Sequence, residues 1–415
     1  MDRDWQIPAA LRILAVNQFY APDMSATSQL LTQLCEDLAA HGHEVSVIAS
    51  RGKYLGGQRL PEREQRAGVT VLRPWATSFG KGSIAHRMAD YLSFWASAVA
   101  TAATSTKPDV LLALTTPPMI ASGAAMVAKL RGIPLVCWVQ DVYPEVAVEF
   151  GLFGQDHPAA TFFRTLARAT HQAAHTTVAL SKGMAERLVK QGQTAEKIRV
   201  IPNWSDGRKL RSLEHQSNPF RKSNNLEDRF VVMYSGNLGV GHDVATLVEA
   251  AKQLAQTHPQ VMLVFVGEGA RKEEAIRMSE GSDNIQFFPY QPFEKLSESL
   301  SAADVHVASL RPGLDGLLVP SKLYGVLAAG RPLLYVGPSH CELSRVIDEH
   351  QVGWSGRPGD ASALAAAIAV RAENPERSQQ EGRRARRLFE EHFDRPHSVQ
   401  RWREVLENAA RNNLH

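Results

Sequence analysis

Two short stretches hold the residue types best suited to chemistry. One is Val319-Pro320-Ser321-Lys322-Leu323-Tyr324-Gly325-Val326-Leu327-Ala328-Ala329-Gly330-Arg331-Pro332. Pro320 and Ser321 are helix-start residues, and Gly330 followed by Pro332 is a stop. Free N–H groups at such a start, with the Lys322 ammonium beside them, suit an anion. The other is Ser235-Gly236-Asn237-Leu238-Gly239-Val240-Gly241, directly after the apolar run Phe230-Val231-Val232-Met233-Tyr234. It is a second candidate for a phosphate cradle. Two anion-binding turns in one α/β domain point to a diphosphate, and so to a nucleotide-activated substrate.

The elements that must position these turns alternate short β-branched runs with amphipathic helical stretches, the pattern of parallel α/β units. In the first half, strands are expected at 11–16, 45–48, 69–72, 110–114, 135–139, 177–180 and 198–201. A helix is expected from Ser25 to His41, capped by Gly42. Residues 206–229 are polar and carry Gly207, Pro219, Asn224 and Asn225, which predicts an interdomain linker. Strands resume near 230–234, 261–266, 285–288, 305–309 and 333–336. The predicted organisation is an N-terminal domain over 1–205, the linker, a C-terminal domain over 230–390, and a last helix over 391–415 that is free to cross back to the first domain. Two doubly wound sheets would place a ligand cleft beyond the carboxyl ends of their strands.

Bulk properties narrow the function. A chain of 415 residues favours two domains, and a formal net charge of +3 gives no case for nucleic-acid binding. Cys35, Cys137 and Cys341 are too few and too scattered for a disulfide framework or a zinc site, and each is expected to be buried. The opening Met1-Asp2-Arg3-Asp4-Trp5 is unlike a secretory signal, and the apolar stretch 91–106 is short for a membrane span. A cytoplasmic location is expected, with peripheral contact at the inner membrane face left open. Arg383, Arg384, Arg386 and Arg387 are expected on a solvated helix face, with anionic lipid head groups as the alternative.

Ordered motifs then carry a resemblance. They are Asn17-Gln18-Phe19-Tyr20-Ala21-Pro22-Asp23, Leu38-Ala39-Ala40-His41-Gly42-His43-Glu44-Val45, Gln140-Asp141-Val142-Tyr143-Pro144 and Ile201-Pro202-Asn203-Trp204 in the first half. Ser235-Gly236-Asn237-Leu238-Gly239, Val266-Gly267-Glu268-Gly269 and Pro320-Ser321-Lys322 follow in the second. Together they resemble family 4 glycosyltransferases of the GT-B fold, especially bacterial colanic-acid, capsular and O-antigen enzymes. The resemblance covers nearly the whole chain. It implies two Rossmann-like domains facing each other across a cleft, the second holding a UDP- or GDP-linked sugar and the first an acceptor. It also implies a glycan acceptor, expected to be lipid-linked, transfer with retention, and no metal or other cofactor. The only Asp-x-Asp, Asp2-Arg3-Asp4, precedes the first strand.

Without a metal, the departing diphosphate must be met by fixed donors and cations. Lys322, Ser321, Leu323 and the amides around Gly236, Asn237 and Gly239 are the candidates, with Arg311 after the strand 305–309. Each glycine is equally read as a tight βα turn, and Arg311 as solvated surface. The resemblance adds Gly267, Glu268 and Tyr290 to the donor side. Asp141, which ends an apolar strand, is read either as orienting or deprotonating the acceptor hydroxyl, or as a turn cap. Tyr20, Pro22, Thr116, Tyr143 and Glu145 are placed on the acceptor side. His43 and Glu44 are read as leading into a strand. Met88, Tyr91, Phe94 and Trp95 supply apolar material that is either packed core or lipid-facing.

The chain departs from the family pattern at two places. A pair of glutamates seven residues apart is replaced by Leu317 and Gly325, and an Arg and a Lys after the first donor-domain strand by Asn237 and roughly His242. The missing glutamates favour a non-catalytic subunit that binds a partner enzyme, which the retained Lys322 and glycine turns oppose. A nucleotide-sugar 2-epimerase of the same fold is the other alternative, although the histidine- and glutamate-rich donor site typical of such enzymes is not evident here.

Overall fold

The computed structural model describes residues 10–52, 59–80 and 83–411. Asp2-Arg3-Asp4 lies outside the described residues. The chain divides into two compact units, one of residues up to Pro202 together with those from Val399, the other Asn203–Ser398.

In unit 1 the strands are β1 (Arg12–Val16), β2 (Glu44–Ile48), β3 (Arg63–Arg66), β4 (Val69–Leu72), β5 (Val110–Leu114), β6 (Leu135–Trp138), β7 (Thr176–Ala179) and β8 (Ile198–Val200). Among the described residues they form one sheet in the order β3-β4-β2-β1-β5-β6-β7-β8. All neighbours are parallel except β3, which runs antiparallel to β4. The helices are α1 (Ala26–Ala40), α2 (Ile84–Thr104), α3 (Ile120–Arg131), α4 (Glu145–Glu149), α5 (Pro158–Ala173) and α6 (Lys182–Lys190). Strand β5 is buried at every residue, as a parallel strand covered on both faces must be. Phe94 and Ala98 of α2 and Ile120 and Val127 of α3 pack on one face of this sheet. The two helices approach so closely that a Cβ on Gly123 would lie 2.3 Å from Val99.

Unit 2 contains β9 (Phe230–Ser235), β10 (Val261–Val266), β11 (Ile285–Phe288), β12 (Val305–Ser309), β13 (Leu333–Val336) and β14 (Gly353–Gly356). Their order is β11-β10-β9-β12-β13-β14, all parallel. Its helices are α7 (Pro219–Ser223), α8 (Ala245–Thr257), α9 (Lys272–Met278), α10 (Leu296–Ser301), α11 (Lys322–Ala328), α12 (Glu342–His350), α13 (Ala361–Glu373) and α14 (Pro375–Leu388). The last helix, α15 (Arg395–Arg411), begins where unit 2 ends. Within unit 1, Trp402 of α15 lies against Trp138, ring centroids 4.5 Å apart.

Strand order reverses beside β1 in the first sheet and beside β9 in the second. The carboxyl-end crevices are therefore flanked by the loops after β1 and β5, and after β9 and β12. The stretch 206–229, expected as a linker, is built into unit 2. The Asn218 carboxamide caps α7, and the buried Arg221 guanidinium donates to the Ala302 carbonyl at 2.8 Å and to Asp304 at 3.1 Å. Polar sequence is folded inward here because its donors are met. All three cysteines are buried thiols.

Candidate functional site

In unit 2 the loops after β9, β10 and β12 converge on the start of α11. The turn after β9 is stitched to the turn after β10: the Gly236 N–H donates to the Val266 carbonyl and the Leu238 N–H to the Glu268 carbonyl, both at 2.9 Å. Glycine is required at this contact. Gly267 has φ +146°, and a Cβ there would sit 2.2 Å from the Gly236 carbonyl oxygen; one on Gly269 would sit 2.4 Å from that of Leu238. The loop after β12 closes the other side, where the Arg311 N–H donates to the Gly241 carbonyl and the Ser309 hydroxyl accepts from the Asp243 N–H.

Lys322 reaches into this frame from the first turn of α11. Its ammonium donates to the Asn237 carbonyl at 3.3 Å, lies 3.3 Å from His242 Nε2, and stands 4.5 Å over the Tyr234 ring. No carboxylate pairs with it among the described residues. The residue as a whole is half-buried, yet its ammonium is desolvated, and burial lowers its pKa to about 7. His242 Nδ1 donates to the Ser309 carbonyl at 2.6 Å, which leaves Nε2 as an acceptor toward Lys322. Burial first, then the Lys322 charge, lowers the His242 pKa to about 3, so the ring is neutral. A cation with donors left over, on a glycine floor at the sheet's switch point, is arranged to receive phosphate oxygens.

The other donor-side residues fall around it unequally. Gly236, φ +129°, is where Lys322 passes, since a Cβ would meet its Cε at 2.9 Å. A Cβ on Gly239 would meet the Asn237 carboxamide at 2.9 Å. Glu268 is exposed and its carboxylate holds Lys272 at 2.7 Å. Tyr290 is exposed beyond β11, and Ser321 makes no capping bond at α11. Leu323 points into the core, so only its backbone is available. Arg311 is exposed and reaches the Val240 carbonyl at 3.4 Å. Leu317 is core, and Gly325 stands beside Leu300. Sequence reasoning missed Arg271, which donates to the His242 carbonyl at 2.8 Å and pairs with Glu274. It stands two residues after Gly269, but nothing in that turn signals that its side chain reaches the His242 carbonyl.

In unit 1 the loops after β1, β5 and β6 come together. The Gln18 N–H donates to the Thr116 carbonyl at 2.8 Å, and Thr115 Oγ1 accepts from the Gln140 and Asp141 N–H groups. Burial raises the Asp141 pKa to about 6, and its charge in turn helps push the Tyr143 hydroxyl above its usual range. Tyr20 is turned inward, with its hydroxyl enclosed, while Pro22 at its side is exposed. Glu145 faces away from Asp141's role. One oxygen pairs with Arg164 at 3.2 Å, the other is buried without a hydrogen-bond partner among the described residues, and the residue lines a cavity of about 40 Å³ with His171 and Gln193. Buried Arg73, unnoticed in the sequence, ties the Ala21 carbonyl (2.7 Å) to Glu64 (2.8 Å) and so fixes the loop after β1.

Fold and site define a two-domain α/β protein whose second unit gathers Lys322 and the glycine turns at the switch point of its sheet. Comparison with known proteins narrows the class. Residues 26–204 match the glycosyl transferase 4-like domain and residues 216–388 the glycosyl transferases group 1 domain. The chain is 26% identical over 371 residues to Escherichia coli WcaI, described as a colanic acid biosynthesis glycosyl transferase, covering 86% of this chain and 91% of that one. It is 25% identical over 312 residues to a GDP-mannose-dependent alpha-mannosyltransferase of Mycobacterium tuberculosis, covering 72% and 73%. Among solved structures, Anabaena HepE in complex with UDP superposes with a TM-score of 0.71 at 16% identity, over 96% of this chain and all of that one. Sucrose-phosphate synthase of Thermosynechococcus elongatus gives 0.74 at 17%, over 95% and 98%. The chain belongs to the family 4 glycosyltransferases of the GT-B fold.

Proposed function

We propose that this glycosyltransferase moves a sugar from a UDP- or GDP-linked donor held in unit 2 to a lipid-linked glycan acceptor held in unit 1. The setting is bacterial exopolysaccharide, capsule or O-antigen synthesis at the cytoplasmic membrane face. Transfer proceeds with retention and without a metal. The observation that carries the reading is Lys322, an unpaired ammonium over the glycine turns at the switch point of the second sheet. As the sugar–phosphate bond breaks, negative charge grows on the departing diphosphate. Lys322 and the N–H groups of the surrounding turns supply donors that need no rearrangement to meet it. Asp141, with a pKa near 6, is ionised at neutral pH yet basic enough to orient or accept the acceptor's hydroxyl proton. The UDP bound in the Anabaena structure and the GDP-mannose used by the mycobacterial relative support a nucleoside diphosphate donor.

The test is release of UDP or GDP from a panel of nucleotide sugars, with and without a lipid extract carrying polyprenyl-linked glycans, in the presence of a chelator. The reading requires acceptor-dependent release that survives chelation. Acceptor-independent conversion of the nucleotide sugar would favour an epimerase instead.

A further inference from the structure

We infer that the outward face of helices α2, α3 and α5 docks on an anionic bilayer surface. The inference rests on the lipid-linked acceptor proposed above. The three helices lie side by side, α2 against α3 and α3 against α5. Large apolar side chains stand out from all of them. Leu92 on α2 is 61% exposed, Leu130 on α3 is 77% exposed, and Phe162 on α5 is 63% exposed. Met88, Leu92, Ala96 and Ala100 put one exposed apolar residue on each successive turn of α2, and Met126 joins Leu130 on α3. Such a face on a protein kept in water alone is a liability, so it marks a contact surface.

Charge identifies the occupant. The three helices carry Arg87, Lys129, Arg131, Arg164 and Arg168 against a single acid, Asp90. Arg131 is held by the Ala102 and Ser105 carbonyls, Arg164 by Glu145 and the Gln155 carbonyl, and Arg168 by the Gln191 carbonyl, so Arg87 and Lys129 are the cations left toward solvent. Asp90 is occupied inward, accepting from the Thr77 hydroxyl and from the N–H groups of Phe79 and Gly80. An apolar face with Arg87 and Lys129 at its edge, and no outward carboxylate on its three helices, matches acyl chains below anionic head groups. No helix among the described residues is long and apolar enough to cross a membrane, so the contact is peripheral. The inner side of α2 meets the loop after β5, where Trp95 Nε1 donates to the Met119 carbonyl at 3.2 Å. Docking would therefore bring the bilayer to the loops that a membrane-held acceptor must reach. The arginine-rich α14 is the weaker candidate, since no large apolar side chain stands exposed on it among the described residues.

Cosedimentation of the full chain with phosphatidylcholine vesicles, with and without phosphatidylglycerol, tests the assignment. Binding is expected only with phosphatidylglycerol, and to weaken with salt. The double variant Leu92→Glu/Leu130→Glu should bind at least about tenfold more weakly, whereas Arg383→Glu/Arg387→Glu should match the wild type. Thermal shifts with UDP and GDP, unchanged in both variants, establish that each is folded. Equal binding by the first variant, or none by the wild type, overturns the docking face while leaving the transfer reading intact. A dimer on gel filtration that Leu92→Glu/Leu130→Glu disperses, with no vesicle binding, also overturns it and assigns the face to a second copy of the chain. Vesicle binding without any nucleotide response would instead remove the transfer reading and keep the docking face.

Discussion

In the transfer we propose, Lys322 and Asp141 divide the chemistry at the scale of single residues. Lys322→Ala should weaken UDP or GDP binding by about 1.5–3 kcal/mol, the range for hydrogen bonds to charged groups, and abolish transfer without lowering the unfolding midpoint. Wild-type affinity in that variant, read by calorimetry, would remove the phosphate assignment. The pH dependence follows from burial. Lys322 has its pKa lowered to about 7 in the fold, so its ammonium, and with it nucleotide affinity, declines as pH rises through 7. The same shift destabilises the fold below pH 7, where the buried ammonium is charged, and that cost fades toward the pKa of the unfolded chain. A nucleotide Kd that is flat between pH 6 and 8 (roughly a tenfold range if the ammonium governs binding) would contradict this. Asp141→Asn should retain nucleotide binding and lose transfer, and the wild-type rate should fall as pH drops through about 6. Full transfer by that variant would leave Asp141 as a turn cap. Lys322 was legible from its motif. Its partner His242 was legible only as the occupant of an aligned place, because the contact joins residues 80 apart.

Elements decide whether those residues are held. The turns after β9 and β10 touch backbone to backbone, so Gly267→Ala cannot be absorbed by a side-chain shift. It should destabilise unit 2 by about 1–3 kcal/mol or more and weaken nucleotide binding, seen together in a nucleotide-dependent unfolding series; an unperturbed midpoint would mean that the turns separate easily. Glycine after a strand announced a turn, but not that two turns would pack on each other. Strands with apolar runs were legible within a residue or so. β3 (Arg-Glu-Gln-Arg) and β14 (Gly-Trp-Ser-Gly) were not, because both are sheet edges. An edge strand has one neighbour and no obligation to be apolar, and charge there blocks unwanted pairing. Arg73 shows the same limit. Nothing in Leu72-Arg73-Pro74 signals a buried guanidinium, yet it holds the acceptor-side loop. Arg73→Leu should cost about 1–3 kcal/mol by leaving the buried Ala21 carbonyl unmet, which chemical denaturation would measure.

For the whole molecule, two restarts of the same βα pattern were enough to read two domains, and ordered motifs enough to read the family. The boundary between them was harder. Residues 206–229 are polar and broken by Pro and Asn, the composition of a linker. Arg221, Asn218 and His215 nonetheless bond carbonyls and Asp304 of unit 2 and make the segment part of it. Composition reports how a segment meets water, not whether its polar groups find partners. The Lys322 ammonium, with no carboxylate partner among the described residues, and the glycine floor lie wholly within unit 2, so the nucleotide recognition we propose belongs to that unit. The central claim is therefore tested most directly by titrating UDP and GDP into the wild type and Lys322→Ala in a calorimeter, without metal. Saturable binding of one nucleotide that collapses in the variant is the predicted result. No binding of either, or equal binding by both proteins, would contradict it.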